Sequence, residues 1–348
     1  MATTEQPLPA VASNETKLSQ QYDTPLGLAH TTMNALKDRI KLHYDLASDY
    51  YFNLWGEHIH HGYYPTPEAK ATETKEVAQV NLIKLLLETA KLPATATQSP
   101  LKVLDVGCGI GGTSRYLASE LGATVTGITI STKQVEMARR LTKTAAAKQQ
   151  DQSTASDVSK DNSTNDSSEF IPLGPNNGKV QFLELDAEKM GEHFAAQSAS
   201  FDVVWISEAL SHFPNKPLFF ANAQKVLKQG GKLVIADWFK SESVKVGDAD
   251  IKAIEDGMLL PPLCTDGEYV GMARENGLEV LGGGEPKDIS EDVKQTWDIT
   301  WSLIQNPSLW AFAFSQGRDG IAFLQAFRAM RRGYANGSFR YSVMAFQK

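Results

Sequence analysis

Asp105, Gly107, Gly109, Gly111 and Gly112 fall within eight consecutive residues, and their spacing is the first sign of chemistry in the chain. Glycines in such a run let the backbone approach a ligand that side chains would hold off. A helix beginning where the glycines stop adds unpaired N–H groups and a partial positive charge. Together they make a cradle for a nucleotide. Gly107-x-Gly109-x-x-Gly112 satisfies the dinucleotide fingerprint, a weak match on its own. That reading wants a carboxylate roughly 20 residues onward for the ribose hydroxyls. Residues 123–130 (ATVTGITI) carry no Asp or Glu, and Gln134 is the nearest polar group that could reach a ribose. Asp105 would repel a pyrophosphate but suits the ammonium of an amino acid. The combination favours S-adenosylmethionine over a nicotinamide dinucleotide.

These residues need a scaffold to hold them. Short apolar runs at 101–106, 123–130, 180–185, 201–206 and 232–236 alternate with stretches of helical periodicity. That alternation predicts an α/β fold, a parallel sheet covered by helices on both faces. Ligands in such sheets sit at the carboxyl ends of the strands. Asp105, Asp186, Ser207, Glu208 and Asp237 stand at those ends and outline the mouth of one cleft. The period-two run FRYSVMAFQ predicts a last strand.

Gln134 has two readings. Ser131-x-x-Gln134 fits a capping box, and the amide equally suits the ribose vacancy. His212, just past Glu208, is a candidate general base because imidazole titrates near neutral pH. Glu208 would orient it or stabilise positive charge. The bland reading of His212 is a core histidine, and His61 is the alternative base. His58 and His60 share a face if their segment is a strand, but no cysteine or carboxylate set with metal spacing accompanies them. No metal is expected.

Residues 1–28 lack periodicity and predict a flexible tail. Residues 29–66 predict a helix from Thr31 leading into a lid or wall rich in tyrosine and histidine, whose faces suit a cationic ligand. Residues 68–92 predict one helix with Val77, Val80, Ile83 and Leu87 inward. Residues 148–179 are serine-rich and acidic and predict a disordered insertion. In residues 239–335, Trp297, Trp301, Phe312 and Phe314 either fill a core or line a cleft for a bulky apolar substrate.

Net charge of −7 without a basic stripe disfavours nucleic acid as partner. Two cysteines exclude a disulfide framework. No apolar run approaches a membrane span. With no secretory pattern and no arginine before Arg39, cytoplasm is the expected location.

Beyond these readings, the glycine turn, its spacing to Asp186 and the strand order resemble the class I S-adenosylmethionine-dependent methyltransferases. HYD at His43, GEHIHHGYY at Gly56, LDVGCGIGGTSRYLA at Leu104 and GITIS at Gly127 resemble the tocopherol methyltransferase and cyclopropane-fatty-acid-synthase-like branch. The likeness spans residues 40–348 apart from the insertion. It implies a Rossmann-like sheet in a single domain over 29–348, with a lid at 29–66 and a substrate-covering region at 239–335. It implies that Asp105, Gly107, Gly109 and Gly111 position the methionine moiety of S-adenosyl-L-methionine. Ile130 and Gln134 then meet the ribose, and Asp186 the adenine amino group with Ala187 beside it. Ser207 borders the cofactor, and Tyr44 and His61 close over its methionine end. Cyclopropane synthases place Glu-His-Phe where this chain has Ser211-His212-Phe213, and a cysteine where His61 stands, both used to hold bicarbonate. That departure implies methylation of a small-molecule acceptor rather than cyclopropanation. A nicotinamide oxidoreductase on a similar sheet and a non-catalytic S-adenosylmethionine-binding protein are the alternatives.

Overall fold

The computed structural model describes residues 33–97, 99–153, 169–281, 284–303 and 318–348. The expected tail over 1–28, the centre of the insertion, the side chain of Trp301 and both Phe312 and Phe314 lie outside the described residues.

Among the described residues nine strands form one sheet. They are β1 (Lys102–Val106), β2 (Thr124–Thr129), β3 (Ile171–Leu173), β4 (Gly178–Glu184), β5 (Phe201–Ser207), β6 (Leu227–Lys240), β7 (Glu279–Val280), β8 (Lys287–Asp288) and β9 (Phe339–Gln347). The order is β3-β4-β2-β1-β5-β6-β9-β7, with β8 beside β9. Strands β4, β2, β1, β5 and β6 run parallel, and β3 and β9 are antiparallel to their neighbours. Along β1 and β5 successive residues point to opposite faces, so both faces must be apolar to be covered. Val103 and Val203 belong to one core layer, Leu104 and Val204 to the other.

The helices are α1 (Met33–Trp55), α2 (Pro67–Thr72), α3 (Lys75–Thr89), α4 (Gly112–Leu121), α5 (Thr132–Ser153), α6 (Met190–His193), α7 (Lys216–Val226), α8 (Ala249–Gly257), α9 (Asp266–Glu275), α10 (Ser290–Val293), α11 (Gln295–Leu303) and α12 (Arg318–Asn336). Leu85, Leu86, Leu117 and Leu121 of α3 and α4 cover one face, and Phe219 and Phe220 of α7 cover the other. This is the α/β architecture expected from the sequence.

Three local expectations are corrected. The helix expected over 68–92 is two, because Thr74 caps a second start through the Val77 N–H, and Val77 itself is exposed. The aromatic stretch continues α1 as far as Trp55, after which residues 56–66 contain no strand, so His58 and His60 are not a strand pair. The disorder expected over 148–179 does not hold at either end: α5 runs to Ser153, and β3 turns back onto β4 through Leu173↔Gly178.

Gly111 shows how tightly the turn is packed. Its φ is +79°, and a Cβ there would stand 2.5 Å from the Phe182 ring. Gly111→Ala is expected to cost about 3 kcal/mol through backbone strain and overpacking, lowering the melting temperature by several degrees in calorimetry. Gly271→Ala, within α9 and with open space at its Cβ position, is expected to gain up to about 1 kcal/mol.

Candidate functional site

A cleft opens at the carboxyl ends of β1, β2, β4 and β5, roofed by α1. Tyr44, Gly107, Gly109, Ile130, Gln134, Asp186, Ala187 and Ser207 line it, as does Glu208. The glycines differ in what they permit. A Cβ at Gly107 would collide with Ala209, whereas nothing lies within 4 Å of the Cβ position of Gly109. Gly109 therefore keeps open a bare backbone edge of the kind a ligand needs. The buried Ser207 hydroxyl, on the same wall, has no partner among the described residues. An open cradle and an orphaned hydroxyl fit a polar ligand such as S-adenosylmethionine.

The remaining contacts of the cleft are held in place by α1. Lys37 pairs with Asp186 at 3.0 Å and with Glu188, and Asp186 caps the next turn through the Glu188 N–H. Lys41 donates to the Ile130 carbonyl at 2.9 Å. The Ser131 hydroxyl donates to Asp45 at 2.6 Å. Ser131 caps Gln134 through its N–H at 3.1 Å, but the Gln134 amide does not close a capping box. Its Oε1 accepts from Thr129 at 2.6 Å, which leaves Nε2 to donate within the cleft.

Three carboxyl and glycine expectations are corrected. Asp105 does not line the cleft; it lies buried beneath the turn, accepts from the Ser114 hydroxyl at 2.5 Å, and burial pushes its pKa up to about 6. Gly111 faces Phe182 rather than the cleft. Asp237 is also buried, holding the Tyr269 hydroxyl and the Trp238 N–H.

A second cavity adjoins the first, and the two share Tyr44, Ile59, Glu208 and His212. Its walls are aromatic, with Tyr51, Trp238, Trp297, Phe323 and Phe327 among them. Trp297 is both core and cavity wall, being 5% exposed. At the shared boundary His61 donates its backbone N–H to Glu208 Oε1 at 2.7 Å, and its Nδ1 lies 3.0 Å from Oε2. Burial is the largest single influence and opposes the Glu208 charge, but the His61 contacts and the nearby His60 together outweigh it and hold the carboxyl below its usual range. An ionised carboxylate only accepts, so the His61 nitrogen facing it, Nδ1, is the one that donates.

His212 is corrected as a base titrating near neutral pH. Burial pushes it down to about 3, and the nearby His43 and Lys216 charges push the same way. Its Nε2 lies 3.2 Å from the Tyr44 hydroxyl. Among the described residues no group of three or more metal-ligating side chains occurs. Sequence reasoning missed Lys37 and Lys41, whose i, i+4 spacing on one helix face was available. It also missed Tyr341, whose hydroxyl donates to Glu208 Oε1 at 2.7 Å across 133 residues of chain. No local pattern announces that contact.

Comparisons with known proteins follow the same lines. Residues 104–235 match the model of a methyltransferase domain, and residues 31–166 that of mycolic acid cyclopropane synthetase. A rice chain described as "Probable tocopherol O-methyltransferase, chloroplastic" is 31% identical over 90% of this chain and 78% of its own length. The tocopherol O-methyltransferase of Arabidopsis thaliana, also chloroplastic, is 28% identical over 92% and 84%. A mycolic acid cyclopropane synthase solved with S-adenosylhomocysteine shares the fold, with a TM-score of 0.67 at 18% identity over 90% of this chain and 98% of that one. The two chloroplastic relatives overturn the cytoplasmic expectation, which rested only on excluding secretory and arginine-rich leaders. Among the described residues no helix is long and apolar enough to cross a membrane.

The bare edge at Gly109 generates a test. Gly109→Ala is expected to cost roughly 1 kcal/mol of stability, since its φ of +54° strains any side chain. It is also expected to weaken S-adenosylhomocysteine binding at least tenfold in titration calorimetry. Unaltered binding would remove the glycine edge from the site.

Proposed function

The chain belongs to the class I S-adenosylmethionine-dependent methyltransferases, and from that premise we propose that its acceptor is an amphipathic, hydroxyl-bearing aromatic molecule whose polar head meets His61 and Glu208. The cofactor is S-adenosyl-L-methionine and the acceptor is a small molecule. The observation that carries the acceptor reading is the boundary at which a polar cleft and an aromatic cavity share Tyr44, Ile59, Glu208 and His212.

The cofactor supplies an electrophilic methyl group on a sulfonium sulfur. In this reading the backbone at Gly107 and Gly109 and the Ser207 hydroxyl hold its amino-acid end. The Gln134 Nε2 and the backbone at Ile130 meet its ribose, and Asp186 accepts from its adenine amino group beside Ala187. Both Asp186 oxygens have a partner already, but each retains a second lone pair.

On the other side of the boundary, Trp297, Phe323 and Phe327 enclose an apolar tail. The head lies against His61, whose Nε2 lone pair takes the proton of an acceptor hydroxyl. The Tyr334 hydroxyl approaches that nitrogen to 3.4 Å, too long to hold it strongly. Glu208 keeps the imidazole turned and balances the charge it gains. Neutral His212 steers the Tyr44 hydroxyl across the boundary; burial first, then the Glu208 and Asp237 charges, raise the Tyr44 pKa and keep it protonated. Alignment of two reactants contributes on the order of 7–11 kcal/mol in ideal cases. The relatives named for tocopherol support an acceptor with a ring hydroxyl and a long tail, and their chloroplastic setting supports a plastid location.

The test is a panel of phenols and quinols with and without a prenyl chain, read by mass spectrometry. Products heavier by one CH₂ are expected from the tailed members, with kcat/KM at least tenfold lower for the tailless ones. His61→Ala is expected to lower kcat on the order of 100-fold while S-adenosylhomocysteine still binds. No turnover across the panel refutes the acceptor class.

A further inference from the structure

Glu208 is seated by donors from two ends of the chain. Its Oε1 accepts the His61 backbone N–H at 2.7 Å and the Tyr341 hydroxyl at 2.7 Å, and its Oε2 faces His61 Nδ1 at 3.0 Å. The side chain is 7% exposed. Its backbone is left-handed, with φ of +54°, a conformation that persists in a non-glycine residue only where the surroundings over-determine it. Tyr341 lies on β9, wholly buried, with its ring centroid 4.9 Å from that of His61. Packing alone asks only for the ring. The hydroxyl is spent on Glu208.

We propose that Tyr341 is a positioning residue for methyl transfer: with the two His61 N–H groups it forms a three-donor seat that fixes Glu208 as an anion at the boundary of the two cavities, and through Glu208 it sets the His61 tautomer. The inference rests on the reading of His61 as the base. The titratable groups facing Glu208 are His60 and His61 from the segment after α1, Tyr44 of α1, His212 after β5, Tyr334 of α12 and Tyr341 of β9. Of these only His61 and Tyr341 hydrogen-bond its carboxylate. Asp237, on neighbouring β6, is held by Tyr269.

A donor to a carboxylate favours its charged form, so removing the hydroxyl raises the Glu208 pKa. Activity that needs the anion is lost as pH falls through that pKa. In Tyr341→Phe the acid limb of kcat/KM is therefore expected to move to higher pH. At neutral pH kcat is expected to fall roughly tenfold, with S-adenosylhomocysteine affinity nearly unchanged and the melting temperature lower by a few degrees, because a buried carboxylate loses one of its donors. A second reading needs no acceptor. Two-bond ¹H–¹⁵N spectra of the seven histidines, recorded with S-adenosylhomocysteine, are expected to show His61 protonated on Nδ1, and Tyr341→Phe to mix its tautomers. A His61 spectrum and an acid limb that both stay in place would make Tyr341 a packing residue and overturn the proposal. If no acceptor turns over, the functional reading fails, while the spectrum still decides the seat.

Discussion

A carboxylate taken out of water must be met by donors or give up its charge. Glu208 is where this structure meets that demand. The donors cannot come from its own strand, because β5 ends there and its backbone turns left-handed. They come from the segment following α1 and from the last strand, so the first and last described parts of the chain converge on one side chain. The sheet order is what permits it. Strand β9 pairs with β6, beside β5, and so carries Tyr341 alongside Trp238 within reach of the β5 terminus. The segment carrying His61 is fixed independently, by Gln79 donating to the carbonyls of His58 and His60 and by Thr296 accepting the Gly62 N–H at 3.0 Å.

The roof over the cofactor cleft is attached differently. Lys37, Lys41 and Asp45 reach across to Asp186, the Ile130 carbonyl and Ser131, whereas the apolar contact of α1 near its start is a small cluster of Leu36, Ile40 and Leu259. Partly exposed ion pairs contribute little each, and a short apolar seam adds modestly. Elements held in this way open at lower free energy than the sheet they cover. The floor of the cleft is rigid for the opposite reason, with Val106, Ile128 and Ile206 packed into a continuous core layer. A ligand enclosed between the two meets a fixed floor and a roof that charge holds down.

The parts of the site legible in the sequence were those encoded locally. Glycine spacing marks a turn because each glycine answers a constraint within a few residues, and strand ends follow from apolar runs that stop at a polar residue. Asp105 misled because its position by the turn says nothing about depth, and only the packing shows it beneath the backbone beside Ser114. The aromatic stretch from His43 to Tyr64 misled because tyrosine, phenylalanine and histidine serve helix and strand alike, so no period separated α1 from the irregular segment after it. The contact of Tyr341 with Glu208 had no local signal at all. It depends on which strand lies next to which, and that is settled only when the whole sheet closes.

His212 and His61 show why residue type could not tell two buried histidines apart. Both are buried and both border Glu208, yet only His61 turns a ring nitrogen toward the carboxylate. His212 turns instead to a hydroxyl, with His43 and Lys216 near enough to oppose a further positive charge. A histidine in that setting accepts or donates a hydrogen bond without changing its protonation, and so can orient Tyr44 but cannot store a proton near neutral pH. His61 differs in its surroundings, because its Nδ1 has a carboxylate already in contact. The same imidazole therefore meets a phenol hydroxyl at one position and a carboxylate at the other. The difference is made by which of them the carboxylate faces.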